Sequence, residues 1–411
     1  MDLPGSPLSW PKSWIDAGEA LLPDMIALRR AIHEEPELGL HLPLTTAKAK
    51  AALAGLPLEF REGPSTTGFM AILRGPANGR TVLLRGDMDA LPLHEDTGLD
   101  FTSRTDGAMH ACGHDTHVAM LVGAARALCA RRDELAGTVI FMFQPGEEGH
   151  HGARWMIDDG LLDPLPDAAF ALHISPNIPT GVFAGRAGPL LAAADRFEIA
   201  VTGRGGHASA PHDALDPIPV ACEIVMAIQA MVTRTIPAFD PAVVTVGRIE
   251  AGTTNNVIPE RAVIEGTVRS FSERARKLAH QGLERLAPNI AAAHGATAVV
   301  DIEHGFPVTV CTANAVTLAA QVAENLFGAG AWRTMPSPAM GAEDFAYVLQ
   351  KVPGAMVFLG ATPEGGDFRS CCALHSNRMV LDERAMTRGV AMHCAYAEAF
   401  LTGGFEGGTA A

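Results

Sequence analysis

The chain reads as an α/β protein, a layered domain around a mostly parallel central sheet with a second, ferredoxin-like α+β domain inserted into it. Three observations predict this. Short continuous apolar runs, such as Thr81–Leu84 and Val139–Phe143, end abruptly in polar clusters, as strands buried on both faces of a parallel sheet do. Segments with helical spacing lie between them, which is the alternation of a layered α/β unit. Near residue 190 the pattern changes to strict in–out alternation, the mark of half-exposed antiparallel strands. At 411 residues the chain exceeds one typical core, so two domains are expected. The reading divides it into 1–189 with 306–411, and 190–305.

Each element follows in order. "TVLLRGDMDA" opens as a strand and turns polar. After Asp115, read as an N-cap, Val118, Leu121, Val122, Ala125 and Leu128 recur at helical spacing. "GTVIFMFQPGEEG" is a second strand, followed by a helix from Gly149 to near Gly160, and "DAAFALHI" is a third. In "DRFEIAVTGRGG", Phe197, Ile199 and Val201 alternate with Arg196 and Glu198. A helix over Asp216–Thr235, strands in "AVVTVGRIEAG" and "RAVIEGTVRSF", a helix over Ser272–His294 and a strand in "TAVVDIEHG" complete a β-α-β-β-α-β order. The strand "AMVFLGA" returns to the first sheet.

Composition narrows the function. The formal net charge is −15 with no Lys/Arg run, so a phosphate backbone is repelled and nucleic acid is not expected as a partner. Seven cysteines, odd in number and sparse, suit a reducing cytoplasm better than a disulfide framework. "MDLPGSPLSWPKSW" lacks a basic stretch followed by an apolar core, so no signal peptide is read there. No apolar run reaches the ~20 residues of a membrane span, so no membrane association is expected. The Gly-rich end "LTGGFEGGTAA" is expected to fray.

The chemistry concentrates at strand ends, where ligands of open α/β sheets bind. "MHACGHDTHV" holds Cys112 and His114; Asp87 and Asp89, Glu147 and Glu148, and His173 close three strands, and "ALHSN" adds His375. Each has a bland reading taken singly: a buried thiol, a solvated Glu pair, a hydrogen-bonded core histidine. Two adjacent carboxylates at the end of a buried strand repel unless a cation offsets them, and one metal site replaces four coincidences. Sulfur, imidazole and carboxylate together suit zinc, with manganese, cobalt or nickel also compatible. Five donors exceed a single catalytic zinc site, which favours two divalent ions sharing a water. One of Glu147 and Glu148 then binds metal while the other takes a proton from that water; the residues alone leave open which does which.

The set of motifs "LRRAIHEEPELG", "LLRGDMDALPL", "MHACGHDTHVAML", "FQPGEEG", "ALH", "GRGGHASAPH", "NNVIPE", "GAEDFA" and "LHS" resembles the co-catalytic metallopeptidases that include aminoacylases and glutamate carboxypeptidases. The nearest resemblance is to N-acyl-amino-acid amidohydrolases, such as hippurate hydrolase and plant auxin-conjugate hydrolases. It implies that Cys112, His114, Glu148, His173 and His375 are metal ligands, that Glu147 is the general base and proton shuttle, and that Asp89 orients a ligand from behind. Asp87 stands where other branches carry a histidine ligand. The inserted domain would be a lid and dimerisation domain. His207 would reach the partner subunit's site to stabilise an oxyanion, while Asn256 and Arg269 would bind the substrate's carboxylate. The activity so implied is metal-dependent hydrolysis of the amide of N-acyl amino acids by a homodimer or dimer-based oligomer. The alternatives are a dipeptidase or carboxypeptidase with the same two-metal site, and a metal-stabilised binding protein without activity. A free base beside the ligands argues against the last.

Overall fold

The computed structural model of the protein describes residues 13–405. The segment read for a signal peptide and the last residues of the Gly-rich tail lie outside the described residues, apart from their innermost few. The chain divides into two compact units, one comprising the residues up to Leu190, Val310–Ser337 and those from Tyr347 onward, the other Leu191–Thr309 with Pro338–Ala346.

In the first unit, helices α1 (Ser13–His33), α2 (Pro43–Ala52), α3 (His114–Ala130) and α4 (Gly152–Asp158) accompany an eight-stranded sheet. Its strands include β1 (Glu59–Glu62), β2 (Phe69–Arg74), β3 (Thr81–Asp87), β4 (Thr138–Gln144), β5 (Ala168–Ser175) and β6 (Phe183–Gly185). The order is β1-β2-β4-β3-β5, then Gly354–Gly360, β6 and Trp332–Thr334. The centre is parallel: β3 pairs with β4 and β5, and β5 with Gly354–Gly360. The β1/β2 and β2/β4 pairs are antiparallel. All eight residues of β5 are buried, which explains why "AAFAL" runs apolar without alternation. α3 is buried almost all round, as a helix enclosed by other elements must be; it packs against α1 and Ala385–Gly403. Truncating a fully buried residue here, such as Leu121 or Leu83, costs about 2–5 kcal/mol.

Two helix starts differ from the sequence reading. α3 is preceded by Gly113 as N-cap, at φ 81°, and Asp115 lies inside its first turn. The Asp115 carboxylate is engaged by Arg29 and His33 of α1, both at 2.7 Å, and Thr116 Oγ1 donates to the Gly113 carbonyl instead. A Cβ at Gly113 would meet Ile174 Cγ2 at 2.5 Å, so close approach as well as a left-handed backbone requires glycine. α4 begins at Gly152 rather than Gly149, because the preceding loop bends through His151 at φ 58°.

The second unit is a β-α-β-β-α-β arrangement with a four-stranded antiparallel sheet. The strands order as Ala242–Ala251, Arg261–Ser270, Ala193–Thr202 and Thr297–Glu303. Helices α5 (Pro217–Thr235) and α6 (Glu273–Ala293) share one apolar core with it, including Phe197, Ile199, Ile224, Ile228, Ile264 and Leu283. Asp216 caps α5 through Ile218 N, and Ser272 caps α6 through Ala275 N. α5 is long and apolar enough to cross a bilayer by length and composition, a property the reading of short apolar runs missed. Its inner face, from Val220 to Met231, belongs to the domain core.

Candidate metal centre

The residues at the carboxyl ends of β3, β4 and β5 converge within the first unit. Asp89 sits two residues past β3, and its carboxylate accepts the backbone amides of Glu147 (3.0 Å) and Glu148 (2.9 Å). One buried carboxylate therefore fixes the whole Pro-Gly-Glu-Glu turn after β4. Cys112, His114 and His173 present one donor atom each within 4.8 Å of one another, and so do Cys112, Glu148 and His375. His114, Glu147 and Glu148 form a further such group. The sulfur thus belongs to two of the groups. His375 is held at φ 68° with its amide donating to the Ala111 carbonyl at 2.8 Å, a conformation uncommon for a non-glycine residue and concentrated at functional sites.

The hydrogen bonds determine which imidazole nitrogens turn towards the cluster. His114 Nδ1 lies 2.9 Å from the Asp89 carbonyl, and His173 Nδ1 lies 2.8 Å from the Ile174 carbonyl. A carbonyl only accepts, so each Nδ1 carries a proton and turns its Nε2 towards the cluster. Burial acts to lower the His114 imidazole, but Asp87, whose Oδ2 lies 3.4 Å from Nε2, and Cys112 push it well up, so a cation at this nitrogen would displace a proton. His173 Nε2 faces Cys112 Sγ at 3.5 Å. No hydrogen bond reaches His114 Nε2 or Glu148 Oε1, although both are buried; each has a charge contact, His114 Nε2 with Asp87 Oδ2 at 3.4 Å and Glu148 Oε1 with His375 Nε2 at 3.3 Å. Buried polar atoms left so are costly, and coordination of a cation would satisfy them. Charge points the same way. Burial pushes the Cys112 thiol up, and contact with Cys112 and Glu148 pushes His375 up to about 10, so the donors hold protons that a cation would displace. The residues fit a metal centre.

Beside it lie Asp87, which the sequence reading placed at a strand end, and His117, which it did not single out. Burial would raise the Asp87 carboxyl, but Arg85, His114 and His117 hold it well below the usual range. His117 was one of the three histidines of "MHACGHDTHV"; its place one helical turn after His114 was the available signal. In the second unit, His207 and Val257 pair on a two-stranded ribbon that also brings Asn256 to it, the Ala208 amide donating to the Asn256 carbonyl at 3.1 Å. His207 Nδ1 accepts from Ser209 N at 3.1 Å, so the neutral ring carries its proton on Nε2. Arg269 Nη1 donates to the Met340 carbonyl at 3.4 Å.

The profile of "Peptidase family M20/M25/M40" matches residues 83–399. The chain is 39% identical to the N-acetylcysteine deacetylase of Bacillus subtilis (strain 168), over 90% of this chain and 95% of that protein. It is 38% identical to the thermostable carboxypeptidase 1 of Saccharolobus solfataricus, over 92% of this chain and 95% of that one. Among solved structures, the YXEP protein of Bacillus subtilis, described as a dinuclear metal-binding peptidase from the M20 family, superposes with a TM-score of 0.80 at 35% identity, covering 93% of this chain and 99% of that one. With the buried Cys112, His114 and His173 sharing members with two further donor groups, the chain belongs to peptidase family M20/M25/M40 and is a metal-dependent amidohydrolase.

Proposed function

We propose that the protein hydrolyses the amide bond of N-acyl amino acids. The observation that carries this is the Glu147–Glu148 turn, pinned by Asp89 beside the Cys112, His114 and His173 donors. Two divalent ions (zinc, manganese, cobalt or nickel), held by Cys112, His114, Glu148, His173 and His375, would polarise the scissile carbonyl and acidify water. Glu148 also belongs to the group with Cys112 and His375, which supports its role as ligand and leaves Glu147 as the base. Glu147 takes a proton as the water oxygen bonds to the carbonyl carbon. It returns that proton to the nitrogen as the C–N bond breaks, releasing carboxylate and amine. Asp89 holds Glu147 in place through its backbone amide. His207, with its proton on Nε2, is a competent donor to the oxyanion, and we assign it to the partner subunit's site. Asn256 and Arg269 bind the carboxylate of the substrate.

The second unit, 191–309 with 338–346, would serve as lid and dimerisation domain. The exposed Met226, Phe239, Val243 and Ile249 on or beside α5 and the edge strand Ala242–Ala251 support a homodimer. All seven cysteines are free, which supports a cytoplasmic setting. The deacetylase relative favours an acyl amino acid as substrate; the carboxypeptidase relative favours a second reading, a peptide cleaved at its carboxyl end by the same site. The test is an assay of N-acetyl and N-benzoyl amino acids and dipeptides with each of the four metals. Acyl amino acids are expected to turn over fastest. Faster dipeptide cleavage would establish the peptidase, and no turnover with two metals bound would leave a binding protein. Glu147→Gln is expected to abolish turnover while metal content stays; loss of metal would exchange the roles of the two glutamates.

A further inference from the structure

We propose that Asp87 and His117 are positioning residues of the metal centre, locking the Ile174 peptide that in turn orients His173. This rests on the reading of the Cys112 cluster as a metal centre. The Ile174 amide donates to His117 Nε2 at 2.8 Å, so that nitrogen is unprotonated and the neutral ring carries its proton on Nδ1. Nδ1–H then donates to Asp87 Oδ1 at 2.5 Å. The other Asp87 oxygen takes Arg85 Nη1, and Arg85 Nε donates to Gln144 Oε1 at 2.9 Å. Arg85, Asp87, His117 and Gln144 are all at most 1% exposed. On its far side the same Ile174 residue accepts His173 Nδ1–H, and the His117 and His173 rings stack edge to face at 4.8 Å. An unbroken series of bonds therefore runs from Arg85 through Asp87, His117 and Ile174 to Nδ1 of His173, whose opposite nitrogen, Nε2, faces Cys112. Buried partners of this kind fix ligand tautomer and direction.

The rival reading is that Asp87, with His114 and His117, itself holds an ion, since these three also present atoms within 4.8 Å. Two observations oppose it. Both His117 nitrogens are bonded to protein, and the Arg85 guanidinium, in contact with Asp87, would repel a cation there.

The full-length chain is stripped of metal and titrated with zinc(II) alone, in competition with a chromophoric chelator, as wild type, Asp87→Asn and His117→Phe. Both variants are expected to bind zinc about 10–100-fold more weakly at the wild-type stoichiometry. A role confined to stability would lower the melting temperature and leave zinc affinity unchanged, which overturns the proposal. Loss of an ion in Asp87→Asn alone would make Asp87 a ligand and overturn it as well. Should the variants fail to fold, nitrogen-15 shifts of labelled histidines in the metal-free wild type decide. His117 in the Nδ1–H form supports the proposal; the Nε2–H form or a charged ring ends it. A wild type that takes up no zinc would sink the metal centre itself, and the His117 tautomer would still decide whether this set of bonds exists.

Discussion

Two clusters in this chain each join two histidines to one further donor, and they have opposite electrostatics. In the first unit Cys112, His114 and His173 bring donors together; in the second, Asp195, His280 and His304 do so. Asp195 is saturated by protein. Arg276 donates to both its oxygens at 2.8 and 2.5 Å, His280 Nε2 lies at 2.7 Å, and the Gly305 amide donates at 3.0 Å. The cluster of the first unit leaves His114 Nε2 and Glu148 Oε1 buried without a hydrogen bond. The lesson is that proximity of ligand-type residues does not make a metal site. What matters is whether their lone pairs have already been taken, and by a cation of the protein's own.

That contrast can be broken most directly at Cys112, whose sulfur belongs to two groups. Cys112→Ala is expected to abolish turnover and lower bound metal, measured by elemental analysis; full metal content would remove the sulfur from the centre. Asp195→Asn removes the buried charge partner of Arg276, leaving only the exposed Glu273 at 3.0 Å, and should cost about 3 kcal/mol in urea unfolding, with zinc stoichiometry unchanged. If that variant lost an ion, the distinction between the clusters would disappear. His207→Ala should reduce kcat by about 10²–10³-fold with a near-normal melting temperature; an undiminished kcat would remove it from the oxyanion.

The smallest effect separates the units by pH. His393, 1% exposed, is pushed down to about 3 by burial. The folded state holds it neutral while the unfolded chain protonates below about 6.5, so stability falls as pH drops from there towards 3. For Asp195, burial acts to raise the carboxyl, but hydrogen bonds from Arg276 and then His280 outweigh it and hold it low. Its contribution is full above the unfolded value of about 3.9 and is lost as pH falls below it. Acid unfolding of the wild type and His393→Phe, followed by circular dichroism, checks this. The variant should lose less stability between pH 6.5 and 4, by a few kcal/mol at about 1.4 kcal/mol per pH unit. An identical acid profile would mean that His393 does not titrate with folding.

Much of the architecture was legible because it repeats along the chain. The buried run of β5 and the in–out alternation of Ala193–Thr202 each follow from one period. The helix starts read at Asp216 and Ser272 lie one residue before α5 and α6, where both side chains act as caps. The N-cap of α3 was not legible. Asp115 has the right chemistry for a cap, but Arg29 and His33, more than 80 residues earlier in sequence, take its side chain. The donor types at strand ends were readable too, since the carboxyl ends of a parallel sheet gather side chains at one edge.

By itself the sequence determined the order of the strands and helices it named, that carboxylates and an imidazole close three of the strands, and that two glutamates stand side by side at one of those ends. Tertiary structure alone decided which of these atoms stay free. It spent Asp195 on Arg276, 81 residues away, engaged both nitrogens of His117, and left the Nε2 of His114 without a hydrogen bond. The physical reason is that a hydrogen bond or an ion pair depends on distance in space and on the orientation of a lone pair. Neither is encoded in the spacing of residues along a chain.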